Sequence, residues 1–157
     1  MLARLDATLS SLAGRGAAPL LLRVALGAVF LAHAYAKAAL FTFPGTAAFF
    51  AAHGLPGWTA YPVFAAELLG GAALVVGYRT RLAALGLVPV MLGALVPHVG
   101  NGWMFTSPGG GWEYVAFLLV ALAAQAVLGD GALSLGARLA PAPARTASLA
   151  AKISPAA

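Results

Sequence analysis

Cysteine is absent from the chain, and charge is scarce: only 8% of its 157 positions are Asp, Glu, Lys or Arg. The first absence excludes any mechanism built on a protein dithiol, a disulfide or a thiolate metal ligand. The second excludes an ordinary soluble surface, since an average soluble domain is about 25% charged. A glycine-rich phosphate-binding pattern, a metal-ligand spacing and a nucleophile motif are missing too. What fills the chain is apolar: hydrophobic residues make up 62% of it, more than a soluble core of this length absorbs without large exposed patches. The net charge of +5 would hint at nucleic acid in a soluble protein. Here the cations fall in the flanks of apolar runs, and no nucleic-acid partner is expected.

Four runs stand out: Leu20–Phe41, Thr59–Gly77, Leu82–Val99 and Trp112–Leu128. Each is close to the roughly 17–25 residues needed to cross hydrocarbon. The expected fold is all-α, a transmembrane four-helix bundle, with spans at about 20–41, 59–77, 82–99 and 112–128. The spans form one membrane domain over residues 19–136. A cytoplasmic amphipathic segment over 1–18 precedes it, and a flexible Ala- and Pro-rich cytoplasmic tail over 137–157 follows. Leu2, Leu5, Leu9 and Leu12 share one helical face of the first segment, as in a helix lying on the inner surface.

Orientation follows from the cations. Arg4, Arg15 and Arg23 precede or open the first span, Arg79 and Arg81 lie between spans two and three, and Arg138, Arg145 and Lys152 follow span four. The other two connections, roughly 42–58 and 100–111, hold no Lys or Arg. The positive-inside rule puts both termini and the Tyr78–Arg81 turn in the cytoplasm of a multi-pass protein of the bacterial cell membrane, with Trp58, Trp103 and Trp112 at the opposite interface. A competing reading takes Leu20–Ala32 and Ala34-Tyr35-Ala36 as a signal peptide with its cleavage site. It leaves three spans and an inconsistent charge distribution.

Seven polar side chains then fall in the outer half: His33, Lys37, His53, Glu67, His98, Asn101 and Glu113. Glu67 is eight residues into its span, about 12 Å below the outer face at 1.5 Å per residue. Lys37 follows His33 by one helical turn on the same face. An ionisable residue at such depth is costly and marks a functional site by default. Bland alternatives stay open for most of them. Lys37 can snorkel to headgroups, His53 can be solvated, and Glu113 suits a helix N-terminus through the macrodipole alone. His98, beside Pro97, can be an interfacial histidine. Glu67 lies too deep for such a reading. Gly70, Gly71 and Gly77 follow it along one stripe and read as helix packing. Pro89 and Pro97 are expected to kink span three or free its carbonyls, and Arg23 and Gln125 read as structural.

Three segments carry a family resemblance. The first is Arg23-x3-Gly27-x2-Phe30-x2-His33-x3-Lys37. The second runs from Glu67 through Gly70-Gly71, Leu74 and Gly77 to Arg79-Thr80-Arg81. The third runs from Gly110-Gly111-Trp112-Glu113 to Gly129-Asp130-Gly131-Ala132-Leu133-Ser134-Leu135. In this order on four spans the chain resembles the DoxX family of small four-helix membrane proteins. Two positions depart from the pattern. Ala34 replaces a usual glycine, and Gly136 stands where an aspartate often closes the last segment, so that a cytoplasmic polar contact is expected to be missing.

The resemblance implies a membrane subunit of a quinone-linked oxidoreductase, akin to complexes that pass electrons from reduced sulfur compounds to quinone. Glu67, His33 and Lys37 are then the catalytic candidates, with His98, Glu113 and Asn101 as substrate-binding or proton-relay groups. No metal site and no covalently bound cofactor are expected. Partners are the bilayer, a quinone or another small substrate, and further oxidoreductase subunits or a second copy of the chain. Two other classes remain open. One is a non-catalytic partner subunit in which Lys37 pairs with Glu67 or Glu113 to set the helix arrangement. The other is a small-molecule carrier, against which stands the lack of an inverted repeat or inner polar cluster. A haem held by His33 and His98 has no support in the spacing.

Overall fold

In the computed structural model, which describes residues 1–14 and 16–139, the described residues are mainly helical. Among the described residues there are seven α-helices and no strand. Helix α1 spans Leu2–Gly14, α2 Ala17–Tyr35, α3 Phe43–Ala52, α4 Ala60–Val76, α5 Thr80–Leu95, α6 Glu113–Leu128 and α7 Leu135–Leu139. Between α2 and α3 the chain widens into one π-helical turn, Ala36–Leu40. Short 3-10 turns at Gly57–Thr59 and Val99–Asn101 lead into α4 and out of α5.

Prolines mark where helices begin. Pro19, Pro44 and Pro62 all fall in the first turn of their helix, where the missing N–H has no intrahelical partner to lose. Thr42 caps α3 by accepting a hydrogen bond from Gly45 N at 3.4 Å. Helix α4 ends because Gly77 turns left-handed at φ 74°, and the N–H groups of Gly77 and Tyr78 both donate to Ala73 O. Helix α5 runs through Pro89 but stops before Pro97, which has no N–H to offer Gly93 O. Val96 N takes that carbonyl instead at 3.2 Å.

Helix α2 packs on α4, α4 on α5, α5 on α6, and α6 returns to α2. Leu26, Phe30, Leu74, Leu87, Met91, Leu118 and Leu122 fill the space between them. The closest approach is between α2 and α4. A Cβ on Gly27 would sit 2.7 Å from Gly71 O, and one on Gly71 would sit 3.1 Å from Gly27 O, so both backbones need hydrogen at these positions. The expected glycine stripe thus divides between two neighbours. Gly71 faces α2, while Gly70 abuts Leu87 of α5. Outward faces remain apolar, with Leu21, Leu69, Leu85, Phe117 and Val127 all exposed.

Two helices, Ala17–Leu40 and Gly57–Val76, are long and apolar enough to cross a membrane, while α5 and α6 are apolar but of 16 residues each. The expected third span, 82–99, is shorter at its C-terminal end, α5 stopping at Leu95 before Pro97. The connection 42–58, expected as a plain loop, contains α3. Phe43 fastens α3 to α4 by stacking on Tyr61 at 5.3 Å and meeting Phe64 edge-on at 5.0 Å. The expected helix near the N-terminus is present as α1, its four leucines exposed. The expected flexible tail begins inside α7. Residues 140–157, with Arg145 and Lys152, lie outside the described residues, as does Arg15.

One end of the assembly is closed by a buried arginine. Arg23, only 1% exposed, spends all five N–H donors on backbone carbonyls. Leu74 and Val75 at the end of α4 accept two of them, and Asp130, Ala132 and Leu133 after α6 accept the others. Asp130 in turn accepts from Thr80 N at 3.1 Å and Thr80 Oγ1 at 2.6 Å, which caps α5. Arg81 donates to Ala126 O and Gln125 to Gly129 O. The carboxylate of Asp130 stands beside Gly136. A Cβ at Gly136 would lie 2.5 Å from Asp130 Oδ2, so a side chain there would have to displace that carboxylate.

Candidate functional site

At the other end the helices part around a cavity of about 840 Å³. Its walls are mostly apolar: Val29 and Phe30 of α2, Phe49 and Phe50 of α3, Val63 of α4, Val90 and Met91 of α5, and Tyr114, Val115 and Leu118 of α6. His33, Lys37, Thr46, His53, Glu67 and His98 add the polar part. A concave apolar chamber with a few polar groups has the character and the size of a small-molecule site.

The centre of the polar part is an ion pair. Lys37 Nζ lies 2.8 Å from both carboxylate oxygens of Glu67, with side-chain exposures of 15% and 5%. Glu67 sits on the regular helix α4, but Lys37 sits on the π-helical turn that ends the α2 run. Such a turn widens the helix by one residue and leaves carbonyls needing partners, and it is common at functional sites. Buried Thr46 answers one of them, its Oγ1 donating to Lys37 O at 3.3 Å. Helix α3 therefore folds back to steady the backbone that carries Lys37.

The histidines are held by their rings. His33 Nδ1 contacts Val29 O at 2.8 Å, His53 Nδ1 contacts Phe49 O at 2.8 Å, and His98 Nδ1 contacts Gly110 O at 3.0 Å. Phe49 also packs on the His53 ring, with centroids 4.2 Å apart.

Of the seven side chains picked from the sequence, His33, Lys37, His53, Glu67 and His98 line this one cavity. Asn101 and Glu113 do not. Asn101 Nδ2 donates to Pro97 O, Gly109 O and Gly110 O, and Glu113 Oε1 accepts from Phe105 N at 2.9 Å. Both therefore organise the segment 102–111, where Trp103 meets Trp112 edge-on at 4.5 Å. That segment carries Gly110, whose carbonyl orients His98. The polar side chain that α6 brings to the cavity is that of Tyr114, one residue beyond Glu113. Sequence reasoning missed Tyr114 and Thr46. The hydroxyl of Thr46, in a connection without charge, was the available signal.

No solved structure matches the chain. The protein named "Putative oxidoreductase CatD" of Bacillus subtilis (strain 168) is 35% identical over 88 residues, a stretch covering 52% of this chain and 64% of that relative. The chain thus matches less than two thirds of that relative's length. The DoxX sequence profile matches residues 18–99, a stretch that holds His33, Lys37, Glu67 and His98 and the two helices able to cross a membrane. With more than half of its length under that profile, and with the cavity's polar side chains inside the match, the chain belongs to the membrane-associated DoxX family.

Proposed function

We propose that this protein is a multi-pass subunit of a quinone-linked oxidoreductase. In this reading α2, α4, α5 and α6 cross the bacterial cell membrane as a four-helix bundle with both termini in the cytoplasm. The observation that carries it is the Lys37–Glu67 pair set into the wall of a large apolar cavity. A quinone ring suits such a chamber, because apolar walls take the ring while a few polar groups face its oxygens. When bound, a quinone takes up two electrons and two protons.

The chain's residues would then divide the work. Lys37 steadies negative charge developing on a ring oxygen. Glu67 passes a proton at its carboxylate, and His33 and His98 pass protons at their imidazoles. Asn101 and Glu113 act one step back, through the 102–111 segment that positions His98. Electrons come from a reduced sulfur donor, directly or through a partner subunit. With a thiol donor, two thiols and one quinone give one disulfide and one quinol. The word oxidoreductase in the name of the Bacillus relative supports the redox class.

The test is quinone reduction by purified protein in mild detergent, with thiols, thiosulfate and sulfite as donors. Wild type is set against Glu67→Gln, with melting temperature recorded alongside. Turnover lost at unchanged melting temperature supports the reading. A second reading, a non-catalytic partner subunit, is favoured by the same ion pair, since it ties the end of the α2 run to α4. It predicts no turnover in either protein and a clearly destabilised variant.

A further inference from the structure

Three histidines from different elements stand on the cavity wall, and each commits the same ring nitrogen to a backbone carbonyl. The partners are Val29 O for His33, Phe49 O for His53 and Gly110 O for His98. A carbonyl oxygen only accepts, so Nδ1 carries the hydrogen in all three rings. In the neutral imidazole this leaves Nε2 bare, an acceptor. Glu67 adds no free acceptor: its Oε2 is buried and lies 2.8 Å from Lys37 Nζ. Lys37 is the one cation on this wall, and it already spans both Glu67 oxygens. Tyr114 is the one hydroxyl on this wall not already donating to a backbone carbonyl, so with three bare ring nitrogens the cavity offers acceptors in excess of donors.

A ligand satisfies that excess only by bringing donors. The oxidised form of a quinone has none, since both ring oxygens are carbonyls. Placed against bare acceptors, it leaves acceptors unpaired on both sides. The reduced form carries two O–H groups, and a site built to receive hydroxyl hydrogens discriminates against the analogue that lacks them. Among the described residues no three His, Asp or Glu side chains form a group able to hold a metal ion.

We infer that this cavity recognises the dihydroxy, quinol form of its ligand and holds it more tightly than the quinone, through Nε2 of His33, His53 and His98. The inference rests on the quinone-site reading above and adds which redox form the site prefers. For a two-electron couple, tenfold tighter quinol binding raises the potential of the bound couple by about 30 mV. The site thereby draws electrons onto the ring.

The experiment is anaerobic equilibrium dialysis of the full-length protein in mild detergent against a decyl-substituted benzoquinone and, separately, its quinol, near neutral pH. The expected result is a quinol dissociation constant about tenfold below that of the quinone. His33→Phe and His98→Phe should each weaken quinol binding several-fold and leave quinone binding within about twofold. Equal affinities, or a tighter quinone, in the wild-type protein overturn the acceptor assignment while leaving the quinone site standing. Binding of neither form overturns both. A wild-type preference that survives in both histidine variants overturns the assignment to these rings.

Discussion

Arg23 and Lys37 lie 14 residues apart on one continuous helical run, and they are handled in opposite ways. Arg23 is sealed, its five donors all spent on carbonyls from two other parts of the chain. Lys37 keeps one partner, partial exposure and a place on the wall of a cavity. A fully satisfied cation in a low-dielectric interior welds elements together, because every carbonyl it serves would otherwise be an orphan. A partly satisfied pair beside a cavity holds hydrogen-bonding capacity in reserve for a ligand. On the proposed reading, the end around Arg23 carries the stability of the assembly, and the end around Lys37 carries its chemistry.

Breaking the sealed end should have the largest effect. Arg23→Met strips donors from Leu74 O, Val75 O and the carbonyls after α6 at once, with an expected loss of more than ~3 kcal/mol, since each buried orphan costs about 1–3 kcal/mol. Reversible denaturation in detergent would read this, and a variant as stable as wild type would contradict the division between the two ends. Glu67→Gln should do the reverse. Loss of a positioned proton-transfer group predicts turnover reduced about 100-fold or more. The melting temperature should barely move, because the glutamine amide still accepts from Lys37 and the cavity leaves the lysine solvated.

Asp130→Asn sharpens the comparison from the stable side. It weakens the cap on Thr80 N and Oγ1 and should cost about 1 kcal/mol, with quinone affinity unchanged in the same dialysis assay. Thr46→Val is the mildest and belongs to the other end. Losing a single 3.3 Å bond to Lys37 O should cost about 0.5–1 kcal/mol, and ligand affinity should fall a few-fold as the π-helical turn loosens. A Thr46→Ser variant, which keeps the hydroxyl, should restore most of that affinity.

Depth counting along the apolar runs was enough to bring His33, Lys37, Glu67 and His98 together, because a rise of about 1.5 Å per residue makes a helix a ruler. The same counting could not say which way a side chain at a span end would turn. Asn101 and Glu113 stand at the right depth, yet they are captured by the 102–111 segment, whose backbone groups offered nearer partners than the cavity did. Helix α3 was invisible as a helix because its apolar residues have no one-sided pattern. Its place depends on Phe43 meeting Tyr61 and Phe64 of α4. Gly136 shows the opposite limit: a family-typical aspartate looked missing, but the carboxylate of Asp130 already occupies the space beside it.

Apolar composition, helical character and the helix boundaries at Pro19, Pro44, Pro62 and Gly77 follow from local chemistry that each short segment carries with it. The partners of polar groups do not. Arg23 reads as a flank charge until the carbonyls after α4 and α6 arrive around it, and Lys37 acquires its place only from a π-helical turn braced by Thr46. Hydrogen bonds between residues 51 or 109 positions apart are set by how the helices come together. In an interior without water, that packing decides whether a charged group becomes a weld or a site.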